Sequence, residues 1–139
     1  MKKNKKAFTL IELMLVMALI AILSTLMLPN LKGAQDKAKE ASLRAVVHAM
    51  QVALENYYLD HQKYPVGTAT PAEQIVALLK QGDYLNQTPK NPFTGKPYQA
   101  SDQAGQIVYD YNADTDQYVI KAYGRKSQQP LLLVSNLEV

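Results

Sequence analysis

The N-terminal part of the chain is dominated by one apolar run. Residues 7–28 read AFTLIELMLVMALIAILSTLML, broken by a single charge, Glu12. A helix needs about 20 apolar residues to cross a bilayer core, so the run is long enough to span one. Pro29 follows, lacking an N–H and clashing with the preceding turn, and predicts a kink. Gly33 adds a second weak point. Residues 34–62 contain neither Pro nor Gly and are rich in Ala, Leu, Lys, Glu and Gln, all helix formers. Within them Leu43, Val46, Val47, Met50, Leu54, Tyr57, Tyr58 and His61 recur at steps of three and four, one amphipathic stripe. Phe8 to about Gln62 therefore reads as one interrupted helix, roughly 80 Å long at 1.5 Å per residue.

Tyr64-Pro65 closes that helix, because the residue before proline disfavours helical backbone. Residues 66–70 read as a loop. Thr70, Pro71 and Glu73 form a capping box with Pro at the first helical position, and Ile75, Val76, Leu78 and Leu79 give a short helix over 71–81 that stops at Gly82. The segment QTPKNPFTGKPY is turn-rich. Beyond it the pattern becomes β: IVYDY (107–111), QYVIKAY (117–123) and PLLLV (130–134) are β-branched and aromatic, separated by turn residues. The fold class expected is α+β, a long N-terminal helix whose amphipathic half packs on a small antiparallel sheet of about three strands. The divisions are 1–7, a basic lead; 8–31, an apolar spanning helix; 32–62, its amphipathic continuation; and 63–139, a globular head.

Charge sharpens the topology. The formal net charge is +3, but four of the 15 basic residues lie in the first six positions, leaving eleven against 12 acidic side chains. The remainder has no field suited to gripping DNA. Lysines ahead of the apolar run predict a cytoplasmic N-terminus and an exported head. A cleavable secretory signal fits poorly, since the run is long and no small-x-small pair occurs between Ala18 and Asn30. There is no cysteine, hence no disulfide framework.

Glu12 is the informative residue. A carboxylate inside a spanning helix costs about 2.5–3.5 kcal/mol on insertion scales. No Lys or Arg lies between Phe8 and Leu31, so a cationic partner would have to come from another chain or from a new N-terminus. KKAFTLIEL followed by the apolar run resembles the leader junction of type IV prepilins and type II secretion pseudopilins. The resemblance implies that a prepilin peptidase cuts between Ala7 and Phe8 on the cytoplasmic side and N-methylates Phe8. Glu12 then takes the place of the family's glutamate and Pro29 that of a proline found in many members. Ala7 departs from the glycine usual before the cut. The resemblance further implies a single-pass inner-membrane subunit with an extracytoplasmic head. It would assemble with copies of itself and with minor pilins or pseudopilins, on an inner-membrane platform protein, into a pilus or secretion pseudopilus. Phe8 and Glu12 would act in assembly, the Phe8 amine pairing with Glu12 of a neighbour and so fixing register. The competing class is a single-pass anchored binding domain that never polymerises.

Other candidates divide between two readings. Asp110, Asp114 and Asp116 gather in sequence near a hairpin turn. Calcium suits hard carboxylates, and the resemblance adds that major pseudopilins carry a calcium site in a nearby loop. The alternative is an ordinary Asx-rich turn. Nine tyrosines could stack on bases, or pack a head with their hydroxyls at the surface. His48 and His61, on the order of 20 Å apart on one helix, cannot share a ligand. No catalytic triad, phosphate loop or dinucleotide motif appears, so no enzyme is read.

Overall fold

A computed structural model describes residues 8–125 and 129–136, the side chains at 27–30 excepted. Helix α1 runs Leu10–His61, within two residues of the stretch expected, and Gly33 does not interrupt it. By contacts the chain forms two compact units, one ending at Gln35 and one beginning at Asp36. In the first, the large apolar side chains from Phe8 to Leu26 are exposed, Phe8 at 86% and Leu10 at 76%. Among the described residues no single helix is long and apolar enough to cross a membrane; Leu10–Leu26 and Leu31–His61 pass together as a bent pair by length and composition. The side chain of Pro29, where the kink was expected, lies outside the described residues.

The second unit packs the remainder of α1 against four antiparallel strands in the order β1-β2-β3-β4. These are β1 (Thr70–Pro71), β2 (Ile107–Asn112), β3 (Gln117–Ala122) and β4 (Leu132–Ser135), with α2 (Ala72–Gln81) after β1. Leu43, Val47, Met50 and Leu54 are fully buried, as the stripe predicts, and meet Ile75 and Leu79 of α2 and Ile107, Tyr109, Tyr118 and Ile120 of the sheet. His61, the last member of the stripe, is exposed and stacks on Tyr57 at 4.0 Å between ring centroids.

Three expectations need correction. The sheet has four strands rather than three, because Thr70 and Pro71 pair with Tyr109 and Val108. The same pairing removes the capping box. Thr70 is held in extended backbone, so Pro71 becomes the N-cap of α2 and makes no side-chain capping bond. Glu73 turns away and accepts from the Ala100 N–H at 2.8 Å. The last strand also begins two residues later than the run PLLLV suggested.

Candidate functional site

The start of α1 is a closed polar unit at the head of an apolar helix. Thr9 sits just before the first helical residue. Its Oγ1 accepts from the Glu12 N–H at 3.3 Å, while one Glu12 carboxylate oxygen accepts from the Thr9 N–H at 2.9 Å and the Thr9 hydroxyl at 2.8 Å. This is a reciprocal capping box, which satisfies donors that a helix start leaves open. Thr-x-x-Glu before an apolar run is its sequence signature. Glu12 thus has a partner within its own chain. Phe8 precedes the box and is exposed; Ala7 lies outside the described residues.

The second unit is built around inward-facing tyrosines. Tyr109 and Tyr118 are fully buried and Tyr64 and Tyr98 nearly so. Their hydroxyls are not surface features, as the packing reading had expected. Tyr118 and Tyr64 both donate to the Glu55 carboxylate, at 2.9 and 3.0 Å. Tyr109 donates to the Pro65 carbonyl at 2.8 Å. Burial, and then the adjacent carboxylate, push the Tyr64 phenol up to about 12 and the Tyr118 phenol up as well. Tyr64 meets Tyr118 edge to face and stacks on Tyr58. A phenol held in this way is not free to stack on a base. Glu55 bolts α1 to the α1–β1 connection and to β3.

The turn segment before β2 is organised by Asn91, fully buried although polar. Its side-chain amide donates to Asp102 at 3.0 Å and to the Ala104 carbonyl at 2.8 Å, and its oxygen accepts from the Phe93 N–H at 2.9 Å. Every polar atom of that side chain therefore has a partner, which burial demands.

The three aspartates near the hairpin do not converge. Asp110 accepts from Lys121 at 2.8 Å and from the Ala69 N–H at 2.6 Å, and these bonds, in that order, hold its pKa below the usual carboxylate range. Asp116 accepts from the Tyr111 hydroxyl at 2.8 Å. Asp114 is exposed, and its N–H is bound by Asn112 in an Asx turn. Among the described residues no group of three or more His, Cys, Asp or Glu side chains stands where it could hold a metal ion.

Comparison with known proteins agrees with the two-part architecture. The prokaryotic N-terminal methylation motif matches residues 2–28, and the model of type II secretion system (T2SS), protein G, matches residues 30–130. Type II secretion system core protein G of Aeromonas hydrophila is 32% identical over 109 residues, covering 70% of this chain and 73% of its own. The protein of the same name from Vibrio cholerae is 34% identical over 109 residues, covering 71% and 73%. The type IV wide pilus major component PilA4 of Thermus thermophilus is 36% identical over 89 residues, covering 64% and 61%. No solved structure gives a significant match. An exposed apolar helix leading into an α+β head is the form of a filament subunit, and the match over most of its length makes this chain a member of the type II secretion system protein G family.

Proposed function

We propose that the chain is the pseudopilin that builds the filament of a type II secretion system. The observation that carries this is the protein G match across 30–130 joined directly to a methylation motif across 2–28. Prepilin peptidase removes residues 1–7 and methylates the new terminus at Phe8. Before assembly the apolar run anchors the subunit once in the inner membrane, head outward. The family's role is structural, and we assign no catalytic step to this chain. Minor pseudopilins and an inner-membrane platform protein are its further partners. The resemblance to PilA4 favours a second reading, a surface pilus, in which the subunit chemistry is the same.

Assembly turns on Glu12. Enclosed by apolar helices, an ionised carboxylate needs a cation. The α-amine freed at Phe8 of a neighbouring copy supplies one, and the Thr9 cap holds the carboxylate at the helix start until that amine arrives. Pro29 then lets the apolar and amphipathic halves bend separately as helices pack.

Glu12→Leu should insert and be cleaved normally, yet form no native filaments in cells lacking the wild-type chain. Membrane fractionation, the mass of the mature N-terminus and filament yield are measured on the same strains. Wild-type filament yield would refute the pairing. A terminus other than Phe8 would refute the processing. Loss of secretion with surface pili intact would select the secretion filament over the pilus.

A further inference from the structure

The charges of the second unit are sorted along α1. Asp36 and Asp60 stand about 36 Å apart along the helix at 1.5 Å per residue, and the rest of the unit can be placed against that axis. Arg125 pairs with Asp36 at 3.0 Å. Lys39 lies 5.9 Å over the Phe93 ring, fixing the 90–105 segment at the same end. Lys37 and Arg44 stand near Asp36 and Lys39 on the helix and Lys90 and Lys96 flank Phe93 in sequence; all four are exposed and form no ion pair among the described residues. The acids there are partly occupied: Asp36 by Arg125, and Asp102 by Asn91 and the Gln99 N–H. Glu40 lies beside Gly124.

The other end has the opposite sign. Glu55 receives Tyr118 at the start of β3, so the turn before it, with Asp114 and Asp116, projects past that level. Asp60 accepts from Tyr84, which places neighbouring Asp83 there too. Asp83 and Asp114 are exposed, and neither is joined by an ion pair among the described residues. Of the cations at this end, Lys80 is turned onto the Leu85 and Asn86 carbonyls, while Lys63 and His61 stand exposed; Lys121, midway along β3, is paired with Asp110.

We propose that these two ends dock on each other between copies of this chain. The basic end, through Lys90 and Lys96, seats on the acidic end, through Asp83 and Asp114, of an axially neighbouring head. The occupant follows from the charges themselves, since each end is the complement of the other end of the same molecule. Such a contact is head-to-tail, and a head-to-tail contact that does not close into a ring generates an open filament. Its role is direction and spacing: two copies stacked in the opposite sense would set like charges together. The proposal rests on the filament-subunit reading.

The test uses the full chain in cells lacking the native copy, with subunit level, N-terminal processing and sheared filament yield measured together. Lys90→Glu/Lys96→Glu should leave level and processing unchanged and lower filament yield about tenfold or more, through like-charge contact. Asp83→Asn/Asp114→Lys should do the same; Asn suits the left-handed backbone at position 83 (φ 59°). Combining all four changes in one chain, or co-expressing the two double variants, should restore yield. Wild-type yield from either double variant, or loss of yield that the combination does not rescue, would overturn the proposal. Absence of filaments from the wild-type chain would instead overturn the filament-subunit reading beneath it.

Discussion

At the scale of single residues, Glu55 carries the most structure per atom. It stands on the polar margin of the amphipathic stripe, where a sequence pattern reads it as ordinary surface charge. In the fold, two phenols from other parts of the chain converge on it. Removing it strands the buried Tyr118 hydroxyl, and an unsatisfied buried donor costs about 1–3 kcal/mol. Glu55→Ala should therefore lower unfolding stability of the detergent-solubilised chain by about 2 kcal/mol, measured by urea denaturation, with Glu55→Gln costing less. Asp110 is a clamp of the same kind, between Lys121 and Ala69. Because both its carboxylate oxygens are engaged and Asp116 accepts from Tyr111, adding or chelating calcium should shift the melting temperature by less than about 1 °C. A calcium-dependent rise abolished by Asp110→Asn would instead support a calcium site at this turn.

Among the elements, those with long or strictly periodic patterns were legible. The α1 stripe identifies Leu43, Val47, Met50 and Leu54 because steps of three and four admit only one buried face. The alternation in β3 places Tyr118, Ile120 and Ala122 inward by period two. Strand β1 was not legible: two residues have no period, and its existence depends on β2, which arrives nearly forty positions later. The false capping box has the same cause, a local signal overridden by a distant ladder. The true box at Thr9–Glu12 is legible in the sequence as Thr-x-x-Glu ahead of an apolar run. Asn91 was illegible for a third reason, since an Asn among turn residues gives no sign of being the buried hub. Its neighbour Gly105 has φ 71°, and a Cβ there would meet the Asn91 oxygen and the Phe93 ring. Gly105→Ala should cost about 2 kcal/mol or more in the same urea assay, whereas Gly95→Ala, with open space around it, should cost only the smaller penalty of its φ of 72°.

For the molecule as a whole, the tyrosine core sets the alkaline limit. A phenol whose folded pKa is raised holds its proton more tightly when folded. Its contribution is full below the unfolded value near 10 and is lost as pH rises through the folded value, about 12 for Tyr64. The chain should thus stay folded at pH 9 and lose stability between about pH 10 and 12, with phenolate absorbance rising together with loss of circular dichroism. Phenolate formation that runs ahead of unfolding would show that these hydroxyls are more accessible than their packing implies.

The bare apolar stretch from Phe8 to Leu26 has a consequence for turnover. Each large side chain there is worth roughly 1.5–3 kcal/mol when withdrawn from water, so releasing one subunit into the medium costs on the order of tens of kcal/mol. A filament of such subunits keeps no pool of dissolved monomer in balance with its ends. On the proposed function, it exchanges subunits only where lipid can receive them. A fragment detached from lipid has lost that exit, and should neither grow nor dissolve.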